Sequence, residues 1–415
     1  MRFSARVRIV SHAFHFSFYF PFSIFSVPPY AGCVLALDSG ADFDPARDAE
    51  FFSGLPERPA VFRVDLHDAA ARPYLARTAN LRARLRRLLG PPDPASKRLN
   101  LRELAAGIRY RVAGSPFEQS VMFYQQARAF YPRRYRAVAR LRPPALLKLN
   151  LRNAYPRCYV TRRILDDTGF YFGPFPSRRA ADTFAGEFLN LFKIRRCQIK
   201  IRRDPAFPGC IYSEMKMCLA PCFAGCTDEE YAGETSRVVS FLESRGAALM
   251  GELESEREAA SSGEDFERAS GIHKKMEKVA GVLRDLPGLP RHIAGLDAVV
   301  LQPVAARSSV ACFTVRAGRL ADPFLLEFGQ LASQPRSLEE LLRGHLDPQS
   351  APPADADAGT RTLLEDHLSL LARWYYSKPR TGEIFFREPD WPYRKIIRAC
   401  SRVLASAQPR EEQAK

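Results

Sequence analysis

The chain has 415 residues, 46% apolar, 26% charged and 11% aromatic, which excludes a disordered polyelectrolyte and a disulfide-stapled miniprotein and fits roughly two to four domains. Lys and Arg number 62 against 46 Asp and Glu, a formal charge of +16 that directs attention to a polyanionic partner, nucleic acid first.

The first fifty residues stand apart. Arg2, Arg6 and Arg8 precede an apolar, aromatic run from Phe14 to Val27, and Tyr30-Ala31-Gly32-Cys33 follows, in the manner of a secretory signal with a cleavage or lipid-attachment site. His15 and Pro21 break that run, and Tyr30 suits a lipidated Cys33 poorly. The favoured expectation is therefore an extension ahead of the true start over 1–50, with the domain proper beginning after Pro45. No later stretch reaches the roughly 18 apolar residues of a membrane span, so a cytoplasmic protein without membrane contact is expected.

Ala60 to Val64 reads as a strand and Arg72 to Leu75 as its partner across the Asp65–Ala71 connection. Asn80 caps a helix to Leu89, with Leu81, Leu85, Leu88 and Leu89 on one stripe and Arg82, Arg84, Arg86 and Arg87 between them. Gly90-Pro91-Pro92 stops it; Glu118 to Phe130 forms a further helix that Pro132 ends. Residues 51–137 thus read as a small α/β domain. Between Arg72 and Arg163 lie 22 Lys plus Arg against three acids, Asp93, Glu103 and Glu118, and only Lys97 and Lys148 are Lys. The planar guanidinium fork suits phosphate oxygens, so this stretch reads as a phosphate-binding face.

A second domain is expected over 138–228. Leu146 to Asn150 and Cys158 to Arg162 read as paired strands, Tyr171-Phe-Gly-Pro-Phe175 as a turn, and Ser177 to Phe192 as a helix leading into a cysteine cluster. Nine cysteines, five of them between Cys197 and Cys226, argue against a secreted disulfide framework and for a metal or cluster centre. Cys197-x12-Cys210-x7-Cys218-x3-Cys222 supplies four thiolates, enough for zinc or an iron–sulfur cluster, and the spacing does not separate the two. Cys226 is left over and reads as structural. Thr227-Asp-Glu-Glu230 fits a capping box that opens a long helix to Arg257. A second helix carries Phe266, Ala269, Ile272, Met276, Val279 and Leu283 on one face, giving an antiparallel hairpin over 229–290. In 291–415, Leu296 to Leu301 and Ala311 to Val315 read as strands, with Arg316-Ala317-Gly318 as the turn signal. Pro335 to Gly359 holds helix and polar linker, and the last fifty residues are mainly helical. The class is α/β (α+β).

Several strings in one order carry a family resemblance over Leu55 to Leu286. Tyr74-Leu-Ala-Arg-Thr-Ala-Asn-Leu-Arg-Ala-Arg84 resembles the YIG half and arginine helix of a GIY-YIG nuclease. Leu147-Lys-Leu-Asn150 with Tyr155-Pro-Arg-Cys-Tyr-Val-Thr-Arg-Arg163, the Tyr171–Phe175 string, the four-cysteine spacing with Cys218-Leu-Ala-Pro-Cys222, and Phe266-Glu-Arg-Ala269 follow. Together they resemble the N-terminal half of the UvrC family, the incision component of the bacterial excinuclease in nucleotide excision repair. The resemblance implies a [4Fe–4S] cluster on Cys197, Cys210, Cys218 and Cys222, with Zn2+ as the alternative. It implies double-stranded damaged DNA as a partner, bound through Arg77, Arg82, Arg84, Arg86 and Arg87. It also implies a UVR-type hairpin that docks on a UvrB-like excinuclease component through Phe266, Arg268 and Ala269.

The departures are as informative. Tyr74 and Arg84 stand at the family's catalytic tyrosine and arginine, Arg77 at its lysine, and Phe62 where the GIY tyrosine belongs. Aligning Glu118 and Pro132 with the family's flanking Glu and Pro puts Phe123 at the Glu that holds Mg2+ or Mn2+, and Val121-Met122-Phe123-Tyr124 contains no acid. A phenyl ring binds no hard cation. The expectation is a DNA-binding repair protein with its nuclease chemistry lost. The alternatives are an active metal-dependent endonuclease of the shortened UvrC type and an iron–sulfur redox or sensing module. Leu296 to Gly329 resembles only the connector before the family's second, RNase-H-like nuclease. Asp297 there reads as a surface or turn residue, and Trp374-Tyr375-Tyr376 as core packing.

Overall fold

Three small antiparallel sheets, each faced by helices, carry the chain in a computed structural model that describes residues 35–93, 95–165, 169–306, 308–329, 336–347 and 358–407. The signal-like segment up to residue 34, and with it Cys33, lies outside the described residues, as does part of the 335–359 linker.

The first region contains strand β1 (Ser39–Asp42), helix α1 (Asp48–Ser53), strands β2 (Ala60–Leu66) and β3 (Tyr74–Thr78), helix α2 (Leu81–Leu89), strand β4 (Ala105–Val112) and helices α3 (Pro116–Phe130) and α4 (Tyr135–Val138). Its strand order is β1-β4-β2-β3. The hairpin expected from Ala60 and Arg72 is β2 with β3, in register Phe62 to Ala76 and Val64 to Tyr74. Strand β4, which the sequence reading omitted, occupies the centre beside β2. Strand β1 pairs Ser39–Asp42 with β4, so the sheet begins upstream of the boundary expected at residue 51. Helix α2 forms as expected: the Asn80 carboxamide oxygen accepts the Ala83 amide at 2.8 Å, and Leu81, Leu85, Leu88 and Leu89 are buried against the sheet. Gly90 ends it where an added Cβ would strike the Arg86 carbonyl.

The second region has strands β5 (Ala145–Leu149), β6 (Cys158–Thr161) and β7 (Phe170–Phe175), then helices α5 (Arg178–Leu189), α6 (Ile211–Glu214), α7 (Asp228–Glu243), α8 (Ala247–Ser262) and α9 (Phe266–Arg284), closed by the short strand β8 (Arg291–His292). The order is β6-β5-β7-β8. The Tyr171–Phe175 string is a buried strand and not a turn, because its aromatic side chains pack into a stack with Phe184, Phe188 and Phe241. The Thr227–Glu230 capping box is present with both reciprocal bonds. The helix it opens stops at Glu243, since Arg245 and Gly246 take left-handed backbone and reverse the chain; α8 and α9 then form the antiparallel pair.

The third region comprises strands β9 (Ala298–Pro303), β10 (Ser309–Arg316), β11 (Arg319–Leu320) and β12 (Phe324–Glu327), helices α10 (Leu338–Leu346) and α11 (Ala358–Tyr375), strand β13 (Glu383–Phe386) and helix α12 (Tyr393–Ala407). Its order is β11-β10-β9-β13, with β12 also on β10. Asp297 accepts the Ala317 amide at 2.9 Å and so caps the turn. Trp374 is buried, its ring 5.2 Å from Phe117, in agreement with core packing.

The first region is fastened to the third. Gly114 leaves no room for a Cβ against the Val304 backbone, and Phe117 packs on Phe313 at 5.0 Å. The Asp366 carboxylate of α11 is 1% exposed and accepts from Tyr135 Oη and Arg136 Nε, both at 2.7 Å, and from Tyr124 Oη at 3.3 Å.

Candidate functional site

Alternation along a strand sends successive side chains to opposite faces. On β3 this decides the nuclease-like residues. Tyr74 and Ala76 join the α2 side, where Phe62 is fully buried with its ring centroid 6.2 Å from that of Tyr74. Arg84 of α2 donates to Tyr74 Oη at 2.9 Å, which brings these two sequence-predicted residues into contact. Arg77 points to the other face and meets α3, donating to Ser120 Oγ at 2.8 Å with its guanidinium 5.7 Å from the Phe123 ring centroid. Phe123 is buried on that same face. The structure therefore brings Tyr74, Arg84 and Phe62 together, brings Arg77 and Phe123 together, and keeps the two sets on opposite sides of the sheet.

Glu118 does not supply the missing ligand. It is buried, its Oε2 accepts the Gly114 amide at 2.7 Å, and its own amide is capped by Ser115 Oγ at 3.0 Å. Burial holds its carboxyl above the ordinary range, against the pull of the Gly114 bond and Arg111. The Ser115-x-x-Glu118 spacing, a helix-start signal, already marks it as a capping residue. Among the described residues, no group of three His, Cys, Asp or Glu side chains that could hold a metal ion stands around Tyr74 and Arg84.

The arginines divide into tied and untied. Arg82, expected on DNA, is committed internally: it donates to the Leu55 carbonyl at 2.7 Å, to the Ser53 carbonyl at 3.0 Å and to Glu57 at 2.6 Å. Arg102 pairs with Asp48 and Arg136 with Glu365 and Asp366. Arg86 and Arg87 are exposed on α2, and among the described residues Arg87 donates only to the Ala83 carbonyl, at 3.3 Å.

The cysteines lie between α5 and α7. All four are free thiols, Cys222 buried and Cys197, Cys210 and Cys218 half-buried. Burial first, then the proximity of Cys197, Cys222 and Cys210, pushes the Cys218 thiol up to about 11 despite the Ala220 amide donated to its sulfur at 3.3 Å. Cys222 is raised for the same two reasons. Left-handed backbone at Lys216, Ala220 and Ala224 folds the chain around these sulfurs. Buried Arg195, missed in the sequence reading, ties the start of the loop: it donates to the Tyr155, Cys197 and Ile199 carbonyls at 2.8, 3.3 and 2.9 Å. Among the described residues no three His, Cys, Asp or Glu side chains stand in the geometry of a closed metal site. The donor set, four thiol side chains within one loop, is of the kind that a thiolate-bound metal or cluster uses. Cys226 is buried in the core of this region, with its backbone carbonyl accepting from Arg203 at 2.8 Å and Cys222 near enough to help raise its thiol.

At the hairpin tip, Asp265 caps α9 and leaves Phe266 70% exposed and Arg268 exposed, with Ala269 half-buried. The sequence pattern placed Phe266 on the packed face; Ile272, Met276, Val279 and Val282 form that face without it.

Residues 145–241, which hold the sheet strands β5 to β7, the cysteine loop and most of α7, match the middle domain of UvrC/Cho excinucleases. The chain is 26% identical over 349 residues to the UvrABC system protein C of Carboxydothermus hydrogenoformans, covering 81% of this chain and 56% of that protein. It is 24% identical over 292 residues to the UvrABC system protein C of Chlamydia pneumoniae, covering 68% and 47%, and 32% identical over 181 residues to that of Nitratidesulfovibrio vulgaris, covering 43% and 26%. The chain is thus similar to UvrC-family proteins over much of its length. It spans about half the length of the first two of these relatives. No solved structure matches. No helix among the described residues is long and apolar enough to cross a membrane.

Proposed function

We propose that this chain is a DNA-binding protein of nucleotide excision repair that docks on a UvrB-like partner and whose GIY-YIG-like site does not cut DNA. The observation that carries the repair reading is the UvrC/Cho middle domain over 145–241, with all four candidate thiolates inside it. The untied arginines of α2 support an electrostatic contact to phosphates, and exposed Phe266 and Arg268 support a partner contact at the hairpin tip. Cys197, Cys210, Cys218 and Cys222 would hold a [4Fe–4S] cluster, or zinc, which when bound supplies a cross-link between loop segments and cancels thiolate charge.

Loss of cutting follows from residue chemistry. A GIY-YIG nuclease needs a carboxylate-held divalent ion beside its tyrosine and arginine. Phe62 stands on that side, Phe123 on the other, and Glu118 is consumed as a cap. The retained Tyr74–Arg84 bond is the observation that favours the active-enzyme alternative. The deciding assay is Mg2+- and Mn2+-dependent nicking of a lesion-bearing duplex preloaded with UvrB, with natural protein beside Phe123→Glu. Neither is expected to nick, because the new carboxylate meets Arg77 across the sheet from Tyr74. Nicking by the natural protein refutes the lost-chemistry reading, and nicking by the variant alone refutes the two-faced geometry.

A further inference from the structure

Helix α2 and the segment after it enclose an open cavity of about 430 Å3 lined by Arg84, Arg87, Leu88, Arg98 and Leu99. Its size is in the range of small-ligand sites. The segment is fastened in place: Asn100 donates its side-chain amide to the Gly90 carbonyl at 2.9 Å, and the Leu101 amide donates to the Leu88 carbonyl at 2.8 Å. Neighbouring Arg82 and Arg102 are neutralised by Glu57 and Asp48. Arg84, Arg87 and Arg98 pair with no carboxylate among the described residues, and only a tyrosine hydroxyl and a backbone carbonyl receive the first two. Three like charges around one cavity repel, and an anion between them relieves the repulsion.

The apolar lining narrows the ligand. Leu88 is buried, whereas Leu99 is 56% exposed and lines the same cavity. An inorganic anion would use the guanidinium groups and leave exposed Leu99 without a partner. A purely apolar ligand would leave three charges unanswered. One nucleotide satisfies both halves, an anionic phosphodiester joined to a flat, weakly polar base.

We propose that this pocket receives a single unstacked nucleotide of a DNA strand, its phosphate on Arg84, Arg87 and Arg98 and its base or sugar against Leu88 and Leu99. The pocket assigns a role to Arg98 and Leu99, and it rests on the DNA-binding reading above. A base inside a duplex cannot enter, so the site prefers single-stranded or frayed DNA to paired DNA.

The test uses the full chain and fluorescence anisotropy with a short single-stranded DNA and its fully paired form. Arg98→Ala should weaken single-strand binding about tenfold and Leu99→Ala about threefold, with duplex affinity within about twofold of natural protein. Both side chains are exposed, so both variants should fold. Equal loss on both DNAs would make Arg98 an ordinary member of the duplex face and overturn the pocket. An unchanged Leu99→Ala would reduce the site to a phosphate contact and overturn the nucleotide. If natural protein binds neither DNA, the DNA-binding reading itself fails. The pocket then stands or falls on thermal shift with a deoxynucleoside monophosphate against inorganic phosphate. It stands if the nucleotide stabilises more and Leu99→Ala abolishes the difference, and falls otherwise.

Discussion

Asp366→Ala should loosen the attachment of the arginine-rich region to the C-terminal region. The carboxylate is 1% exposed and accepts three donors, Tyr135 and Arg136 at 2.7 Å and Tyr124 at 3.3 Å. Removing it strands two hydroxyls and half-strands a guanidinium. Breaking a buried pair by deleting one partner costs about 3–5 kcal/mol. The low end, about 3 kcal/mol, applies because the Arg136 side chain is 36% exposed and keeps Glu365 at 3.1 Å and the Thr362 carbonyl at 3.0 Å. Urea unfolding at pH 7 reads this as a lowered midpoint at unchanged slope. Burial raises the Asp366 pKa against the pull of its donors, so the folded state holds the proton more tightly than the unfolded chain. Its contribution to stability is thus fullest below the unfolded value and declines as pH rises through the folded one. The gap between natural protein and variant should therefore widen on acidification through the carboxylate range. A loss under about 1 kcal/mol, or a gap that closes in acid, would refute the pin.

Further outcomes follow from the same contacts. Cys218→Ser should lose bound iron and soluble protein together, measured by metal analysis of an anaerobic preparation; zinc in place of iron in the natural protein would sink the cluster assignment. Arg82→Ala should cost about 1–2 kcal/mol of stability and leave the salt slope of DNA binding unchanged, whereas Arg86→Ala with Arg87→Ala should lower that slope by about one to two. His367 has a pKa pushed down to about 4 by burial, and its Nδ1 accepts the Leu320 amide at 3.0 Å. A depressed base gives stability that is full above the ordinary value of 6.5 and lost as pH falls through 4. Replacing it by Gln, which can still accept that bond, should flatten the urea midpoint between those limits, and an unchanged profile would count against the assignment.

The Asn80 cap, the Thr227 capping box and the grouping of four cysteines on one loop were legible because their signals are local. A Ser-x-x-Glu start at Ser115 was legible too, and it marks Glu118 as a helix-start residue. Strand β4 escaped because Arg109 and Arg111 interrupt its apolar pattern; its central place comes from pairing with β2 and β1 on either side. The pocket residues Arg98 and Leu99 carry no sequence signal, since their meaning depends on the cavity beside α2.

Short-range forces, which residue order alone encodes, account for the leucine stripe of α2, its cap, the helical pair and the set of sulfurs brought within one loop. The charge pattern and the site needed the folded chain. The positive segment looked uniform because its acids were counted only along the chain, yet Glu57, Asp48 and Asp366 reach in from outside it and neutralise particular arginines. Likewise Tyr74 and Arg77 lie three residues apart, and a motif treats them as one site. The pleat of β3 sends them to opposite faces, one to Arg84 and the other to Phe123. Coulomb pairing and strand alternation act through space, and only the fold sets those distances.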